Sequence, residues 1–296
     1  MGTRVTLLHN SGAGFENYST EQLLKALRQR GYDPVYEPTF GDDFTESLQA
    51  PGELVVIAGG DGTVGKIARQ LVGKGIPIGL LPLGTANNIA TSLGIAGEPA
   101  DIIAGWDLAK RKPFDIGLIR GPGGEDFFLE SVGFGLFPRL IRQREEEGKE
   151  KDSREEELED ALKHQLEILG QYDSHPGTIY VDGQPYRGNY LMVEIMNIPL
   201  AGPNMNLAPQ ADPGDGLLEV VLVREEEREK FARFLTCCLR GEANQQLLEV
   251  IRAKKLQVEW ESRHYHVDDE AREENPPVTI DVGLFPKALE FLISPS

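Results

Sequence analysis

At 296 residues the chain is long enough for two domains, since a single hydrophobic core stops growing at about 250 to 300 residues. With 40% apolar and 26% charged residues it has globular composition, which excludes a disordered chain. A formal net charge of −18 repels a phosphate backbone and excludes nucleic acid as a partner, and no apolar run approaches the roughly 18 residues needed to span a bilayer.

From Thr3 to about Lys112, short β-branched runs alternate with amphipathic segments, the pattern of a parallel sheet covered by helices. Met1-Gly2-Thr3-Arg4-Val5 shows no signal-peptide pattern and leads into a strand over Thr3–His9. Ser19-Thr20-Glu21-Gln22 predicts a capping box, and Leu23, Leu24 and Leu27 supply a helix face that ends at Gly31. Further strands are predicted over Asp33–Glu37, Glu53–Ala58 and Pro77–Leu81, with helices after Thr63 and after Ala86. These elements predict an N-terminal three-layer α/β domain, residues 1–112, with 287–296 returning to it through a last strand over Ala288–Ile293.

After Pro113 the character changes. Strand-like runs at Asp115–Arg120, Asp126–Val132, Thr178–Asp182, Asn189–Met196 and Leu217–Val223 predict a C-terminal antiparallel β-sandwich-like domain over 113–286. Asp182-Gly183 is a two-residue hairpin signal. The charge-dense stretch between Arg142 and Leu169 carries Leu158, Leu162, Leu166 and Leu169 at helical spacing and predicts one solvated amphipathic helix. A shorter helix follows Arg228. Cys237 and Cys238 are adjacent, cannot staple distant segments, and are expected as buried reduced thiols.

The segment Leu54-Val55-Val56-Ile57-Ala58-Gly59-Gly60-Asp61-Gly62-Thr63 carries the most chemistry. A buried strand ends in glycines whose bare amides approach a ligand, and the helix that follows favours negative charge, so the loop reads as a phosphate site. Gly60-x-Gly62-x-x-Gly65 fits the dinucleotide fingerprint, but no acidic residue lies between Lys74 and Glu98 to take a ribose. Gly60-x-x-x-x-Gly65-Lys66 fits a Walker loop except that Ile67 replaces the magnesium-binding hydroxyl. Asp61 in the middle of a phosphate cradle requires a cation or a hydroxyl donor beside it, unless it caps the helix. Leu83-Gly84-Thr85-Ala86-Asn87-Asn88 forms a second such loop, and His9-Asn10-Ser11-Gly12-Ala13-Gly14 a third.

Gly59–Thr63 together with Leu83–Asn87 resembles the catalytic domain of the diacylglycerol kinase family, which includes bacterial lipid kinases and sphingosine kinases. The likeness extends to His9–Gly14 as a first nucleotide loop, and to Asn204–Pro209 followed by Asp215-Gly216-Leu217-Leu218 as a β-domain signature. It implies ATP and Mg2+ as cofactors, with Asn10, Thr39, Gly60, Asp61, Gly62, Thr63 and Thr85 lining the nucleotide site and Asp61 turned toward metal and phosphates. It implies a magnesium site at Asp215 with backbone oxygens of Asp212 and Leu217; the same turn, rich in hard oxygen donors, is also an ordinary Asp-Gly turn. Glu270, in Val267-Asp268-Asp269-Glu270, stands at the family's general base, with Asp268 supporting it. The sequence departs from the family where Asp269 replaces Gly, where Gly65-Lys66 replace Asn-Glu, and where Asn88 replaces Asp. His264, His266 and Asp268 alternate on one strand, a weak metal pattern without a third nitrogen or sulfur ligand.

The resemblance implies a cytoplasmic kinase, peripheral and transient at the inner membrane face, that transfers the γ-phosphate of ATP to a lipid hydroxyl, diacylglycerol foremost, at an interdomain cleft. A homodimer is compatible with it. Membrane contact is expected at Lys110-Arg111-Lys112 or at Arg139, Arg142 and Arg144, with Phe134, Leu136, Phe137 and Leu140 as apolar contacts. Two other readings stand beside it: transfer to a soluble acceptor such as NAD, and a non-catalytic regulator that binds nucleotide or lipid.

Overall fold

The computed structural model describes residues 2–12, 18–39, 43–147, 153–242 and 248–293, with no side chain described over 144–147. The chain divides into two units, Met1–Phe114 with Lys287–Ser296, and Asp115–Pro286.

The first unit holds β1 (Arg4–His9), α1 (Thr20–Gln29), β2 (Asp33–Pro38), β3 (Leu54–Gly59), α2 (Asp61–Leu71), β4 (Ile78–Pro82), α3 (Asn88–Ser92), α4 (Pro99–Gly105) and the start of β5 (Arg111–Gly121). Its strands are parallel in the order β2-β1-β3-β4. Every residue of β3 is buried, as a strand covered on both faces must be, which is why its sequence runs apolar without alternation. The capping box at Ser19 and Gln22 is formed, Leu23 and Leu27 are buried, and Gly31 at φ +91° follows the helix end. Because β1 to β2 and β3 to β4 step in opposite directions, right-handed crossovers place α1 and α2 on opposite faces of the sheet. The strand order therefore reverses between β1 and β3, and the loops after their carboxyl ends open where such sheets bind ligands.

The second unit continues with β6 (Gly124–Phe128), β7 (Ser131–Gly135), α5 (Leu136–Glu147), α6 (Arg154–Gln171), β8 (His175–Val181), β9 (Gln184–Met196), the short pair β10 (Leu200–Ala201) and β11 (Met205–Asn206), and β12 (Leu218–Arg224). It ends with α7 (Arg228–Leu239), β13 (Glu249–Ala253), β14 (Leu256–Trp260), β15 (His264–Val267), β16 (Glu270–Glu273) and β17 (Val278–Leu292), whose last residues return to the first unit beside β4. Within this unit neighbouring strands pair antiparallel, and β9 is its hub, joined to β8, β7 and β12. Tyr190–Met196 of β9 are all buried because each face meets a core. Tyr190, Val193 and Ile195 join the strand-lined cluster that includes Phe134 and Trp260, while Leu191, Met192 and Met196 lie in the cluster shared with α5, α6 and α7. Asp182 and Gly183 both take positive φ, as the hairpin signal requires.

Four expectations are corrected. The run Asp126–Val132 is not one strand but ends at Phe128 and resumes at Ser131, because the amides of Leu129, Glu130 and Ser131 turn onto the carboxylate of Asp268. The single helix over 142–169 is two, and α6 buries Leu162, Gln165, Ile168 and Leu169 while packing on α7. Phe134, Leu136, Phe137 and Leu140 are core residues, so they offer a membrane nothing; the side chain of Arg144 lies outside the described residues. Cys237 and Cys238 are free, but half-buried rather than buried.

Candidate active site

Two polar assemblies stand out, one in each unit. In the first, the loops after β1, β3 and β4 are bonded to one another. The Asn10 amide N–H donates to Ala58 O at 2.9 Å and its side chain donates to Thr63 Oγ1 at 3.1 Å, fixing the first loop to the second. Ala13 and Gly14 lie outside the described residues. Thr39 N–H donates to His9 O at 3.3 Å, and Thr39 Oγ1 is buried with no hydrogen-bond partner among the described residues.

Gly60 and Gly84 meet backbone to backbone. A Cβ on Gly60 would lie 3.1 Å from Gly84 Cα, and a Cβ on Gly84 would overlap Gly60 Cα, so neither position admits a side chain without parting the loops. Gly60 is the N-cap of α2 and supplies no side-chain cap, which leaves Gly62 and Thr63 in a first turn suited to an anion. In the third loop Asn87 adopts φ +52°, accepts from Gly84 N–H at 2.9 Å and donates to Gly84 O at 2.7 Å, with Thr85 held half-buried between them.

Asp61 joins the second and third loops. Its Oδ2 accepts from Asn88 N–H at 2.9 Å and its Oδ1 from Ile89 N–H at 3.0 Å, so this carboxylate caps α3 rather than its own helix. The charge a phosphate cradle would be expected to avoid is thus held by two amides across the cradle. Ile67 is fully buried and Lys66 is exposed, which leaves the Walker-like spelling without its metal-binding side chain.

In the second unit the β15–β16 turn carries Asp268 and Glu270. Asp268 is the residue at positive φ (+50°), and Asp269 is not among the positive-φ residues, so replacing Gly at 269 costs no backbone strain. Asp268 pays for its own conformation with hydrogen bonds: its carboxylate accepts from Leu129, Glu130 and Ser131, its N–H donates to Ser131 O at 2.8 Å, and its O accepts from His266 Nδ1 at 2.7 Å. Asn197, fully buried, brackets the same bend by donating to Leu129 O at 2.9 Å and Asp115 O at 3.0 Å. Glu270, half-buried, lies 3.3 Å from the Arg272 guanidinium, which also grips Asp126.

His266 is not a metal ligand in this arrangement. Its Nε2 is 3.0 Å from Glu194 Oε1, both side chains being buried on the α5 side of β9. Burial alone would lower this imidazole's pKa, but the Glu194 carboxylate and the Asp268 carbonyl raise it above the usual value. Gly133 makes the pair fit, since a Cβ there would overlap Glu194 and His266. His264 is turned away to Arg142.

The Asp215 carboxylate is engaged within the protein. Asp215 Oδ2 is taken by the Arg252 guanidinium, Oδ1 accepts from Leu217 N–H at 3.0 Å, and Asp212 O accepts from Asp215 N–H at 3.2 Å. Arg252 also reaches Glu219 Oε1 at 3.1 Å; burial pushes that carboxyl up to about 7, against the pull of Arg252. Among the described residues no three His, Cys, Asp or Glu side chains converge as metal ligands.

The residues that sequence reasoning missed are Glu194, Asn197, Glu219, Arg252 and Arg272. Their partners lie far away in sequence, and only the pattern breaks at Glu194 and Glu219, each a charge inside an otherwise apolar strand, pointed to two of them.

Comparison with known proteins defines the class. Residues 4–119 match the family model described as the diacylglycerol kinase catalytic domain, and residues 155–293 match the YegS C-terminal NAD kinase beta sandwich-like domain. A Mycobacterium tuberculosis protein named diacylglycerol kinase is 26% identical over 308 residues, covering 98% of this chain and 94% of that one. A Klebsiella pneumoniae protein named "Probable lipid kinase YegS-like" is 30% identical over 235 residues, covering 75% of each. A crystal structure of a diacylglycerol kinase from Bacillus anthracis shares the fold, with a TM-score of 0.73 at 20% identity over 99% of this chain and 98% of that one. These matches define a kinase. The chain belongs to the diacylglycerol kinase catalytic-domain family, with the α/β and β-sandwich-like units that family carries.

Proposed function

We propose that this kinase transfers the γ-phosphate of ATP to a lipid hydroxyl, with diacylglycerol as the favoured acceptor. The observation that carries the proposal is the locked triple loop of the first unit, in which Gly60 and Gly84 leave only backbone at the cradle and Asp61 ties the two loops together. In this reading the first-turn amides of α2 with Thr63 and Thr85 hold the phosphates, while Asn10 and Thr39 line the nucleotide. Magnesium, held by the phosphates of the nucleotide that the first-turn amides of α2, Thr63 and Thr85 would bind, would supply charge neutralisation for the transfer, and no step is assigned to a cation at Asp215. The bond from the γ-phosphorus to the ADP oxygen breaks as the bond to the acceptor oxygen forms. Glu270 takes the hydroxyl proton, and Asp268 positions it by fixing the turn.

A lipid acceptor requires peripheral contact with a membrane, and no helix among the described residues is long and apolar enough to cross one. The test offers labelled ATP and magnesium with mixed micelles of diacylglycerol, monoacylglycerol and sphingosine, and NAD in solution. Label on a lipid supports the proposal and names the acceptor. Label on NAD would establish the soluble-acceptor reading; no label on any acceptor would support a regulator that binds without transfer.

A further inference from the structure

The phosphotransfer reading leaves one pocket of the second unit unused. It encloses about 400 Å³ and is lined from α5, the residues just after α6, the start of β8 and the start of β15. In a chain of net charge −18 its lining is cationic: Arg139 and Arg142, one helical turn apart on α5, face His175 and His264.

The charges there are only partly balanced. The Arg139 guanidinium lies 6.0 Å from the Tyr172 ring centroid, held over an aromatic face. Arg142 approaches the His264 ring at 3.0 Å and shares Glu273 with it, at 3.8 and 3.9 Å. Glu273 is pulled away by Arg263 at 2.8 Å, and Asp173 is the one carboxylate in the lining itself. Among the described residues, the lining thus holds two guanidinium groups against one carboxylate before either imidazole gains a proton. Burial lowers both imidazole pKa values; Arg142, Arg263 and His175 lower His264 further, while Glu273 opposes this, and Asp173 opposes it at His175. An anion would relieve that crowding. The lining also offers an acceptor, because Gln143 Oε1 is buried with no partner among the described residues.

We propose that this pocket binds a phosphate ester that carries a free hydroxyl, the phosphate against Arg139, Arg142, His175 and His264 and the hydroxyl at Gln143. The site is separate from the Glu270 turn. His264 pairs with Glu273 at the open end of the β15–β16 hairpin, whereas Glu270 pairs with Val267 at its turn, about 10 Å along the strand. A phosphate ester of this kind comes either from a lipid headgroup or from solution.

The test reads binding, not turnover, so it stands or falls apart from the kinase reading. Inorganic phosphate and glycerol 3-phosphate are titrated into the full chain by calorimetry, with the histidine C2–H resonances followed by NMR. The His175 and His264 signals are expected to move, and glycerol 3-phosphate to bind about 2- to 10-fold tighter than phosphate through the added hydroxyl. Arg139→Gln with Arg142→Gln weakens binding at least tenfold. Should that variant fail to fold by circular dichroism, the wild-type His175 and His264 shifts decide. Vesicles of phosphatidylglycerol in phosphatidylcholine, set against phosphatidylcholine alone, name the source: headgroup if they shift the same two histidines, a soluble ester if they do not. The proposal is overturned if no probe moves His175 or His264, or if binding survives the double substitution unchanged.

Discussion

Asp61→Ala is expected to destabilise the first unit, because its carboxylate is the bolt between the loops after β3 and β4. The two bonds it accepts, 2.9 Å from Asn88 and 3.0 Å from Ile89, are charge-assisted caps of α3. Hydrogen bonds to charged groups contribute about 1.5–3 kcal/mol and an N-cap about 1 kcal/mol, terms that overlap here, so the loss is set at about 2 kcal/mol. For a unit of this size that corresponds to a fall of about 8 °C in melting temperature. Asp61→Asn keeps one acceptor oxygen and turns an NH2 toward the second amide, so it recovers at most half. Thermal unfolding at pH 7 by calorimetry, with hydrogen exchange at the Asn88 and Ile89 amides, measures both effects. A melting temperature within about 1 °C of wild type, with Ile89 protection intact, would refute the bolt and return Asp61 to a purely ligand-facing role.

Gly84→Ala forces a Cβ onto Gly60, so the loops separate and ATP affinity, measured by equilibrium binding, falls more than about tenfold if the cradle holds phosphate. Glu194→Gln leaves His266 buried without its counter-charge and is expected to cost about 3–5 kcal/mol in urea unfolding. Because the folded His266 pKa is raised, the stability this pair contributes is full below 6.5 and is lost as pH rises through the folded value; the variant should lack that dependence. Glu219 shifts in the same direction for a different reason, the burial of an acid. Its pKa rises from 4.5 unfolded to about 7 folded, so the native state holds more protons across that window and stability falls as pH rises through it. Glu219→Gln should flatten that slope between pH 5 and 8, and an unchanged slope would show that Glu219 does not titrate there.

What was legible in the sequence is what local chemistry determines. Ser19 and Gln22 are three residues apart and make their box whatever surrounds them, and Asp182-Gly183 selects its turn through positive φ alone. The glycine loops were visible because glycine next to a buried strand has few other uses. Asp61 was visible as an anomaly, but its partners were not, since Asn88 and Ile89 reach it only after two strands have paired. The break at Leu129–Glu130 was invisible for the same reason: it exists because Asp268, far along the chain, collects the amides. Phe137 and Leu140 read as a membrane face beside arginines in the sequence, whereas α5 lays them on the sheet.

The measurement that bears most directly on the account is the rate of phosphate transfer from ATP to diacylglycerol by wild type and by Glu270→Gln, with ATP affinity determined on both. The account predicts lipid phosphorylation by the wild type, a fall of about 10²- to 10⁴-fold in the variant, and unchanged ATP binding. A variant that phosphorylates diacylglycerol at the wild-type rate would contradict it.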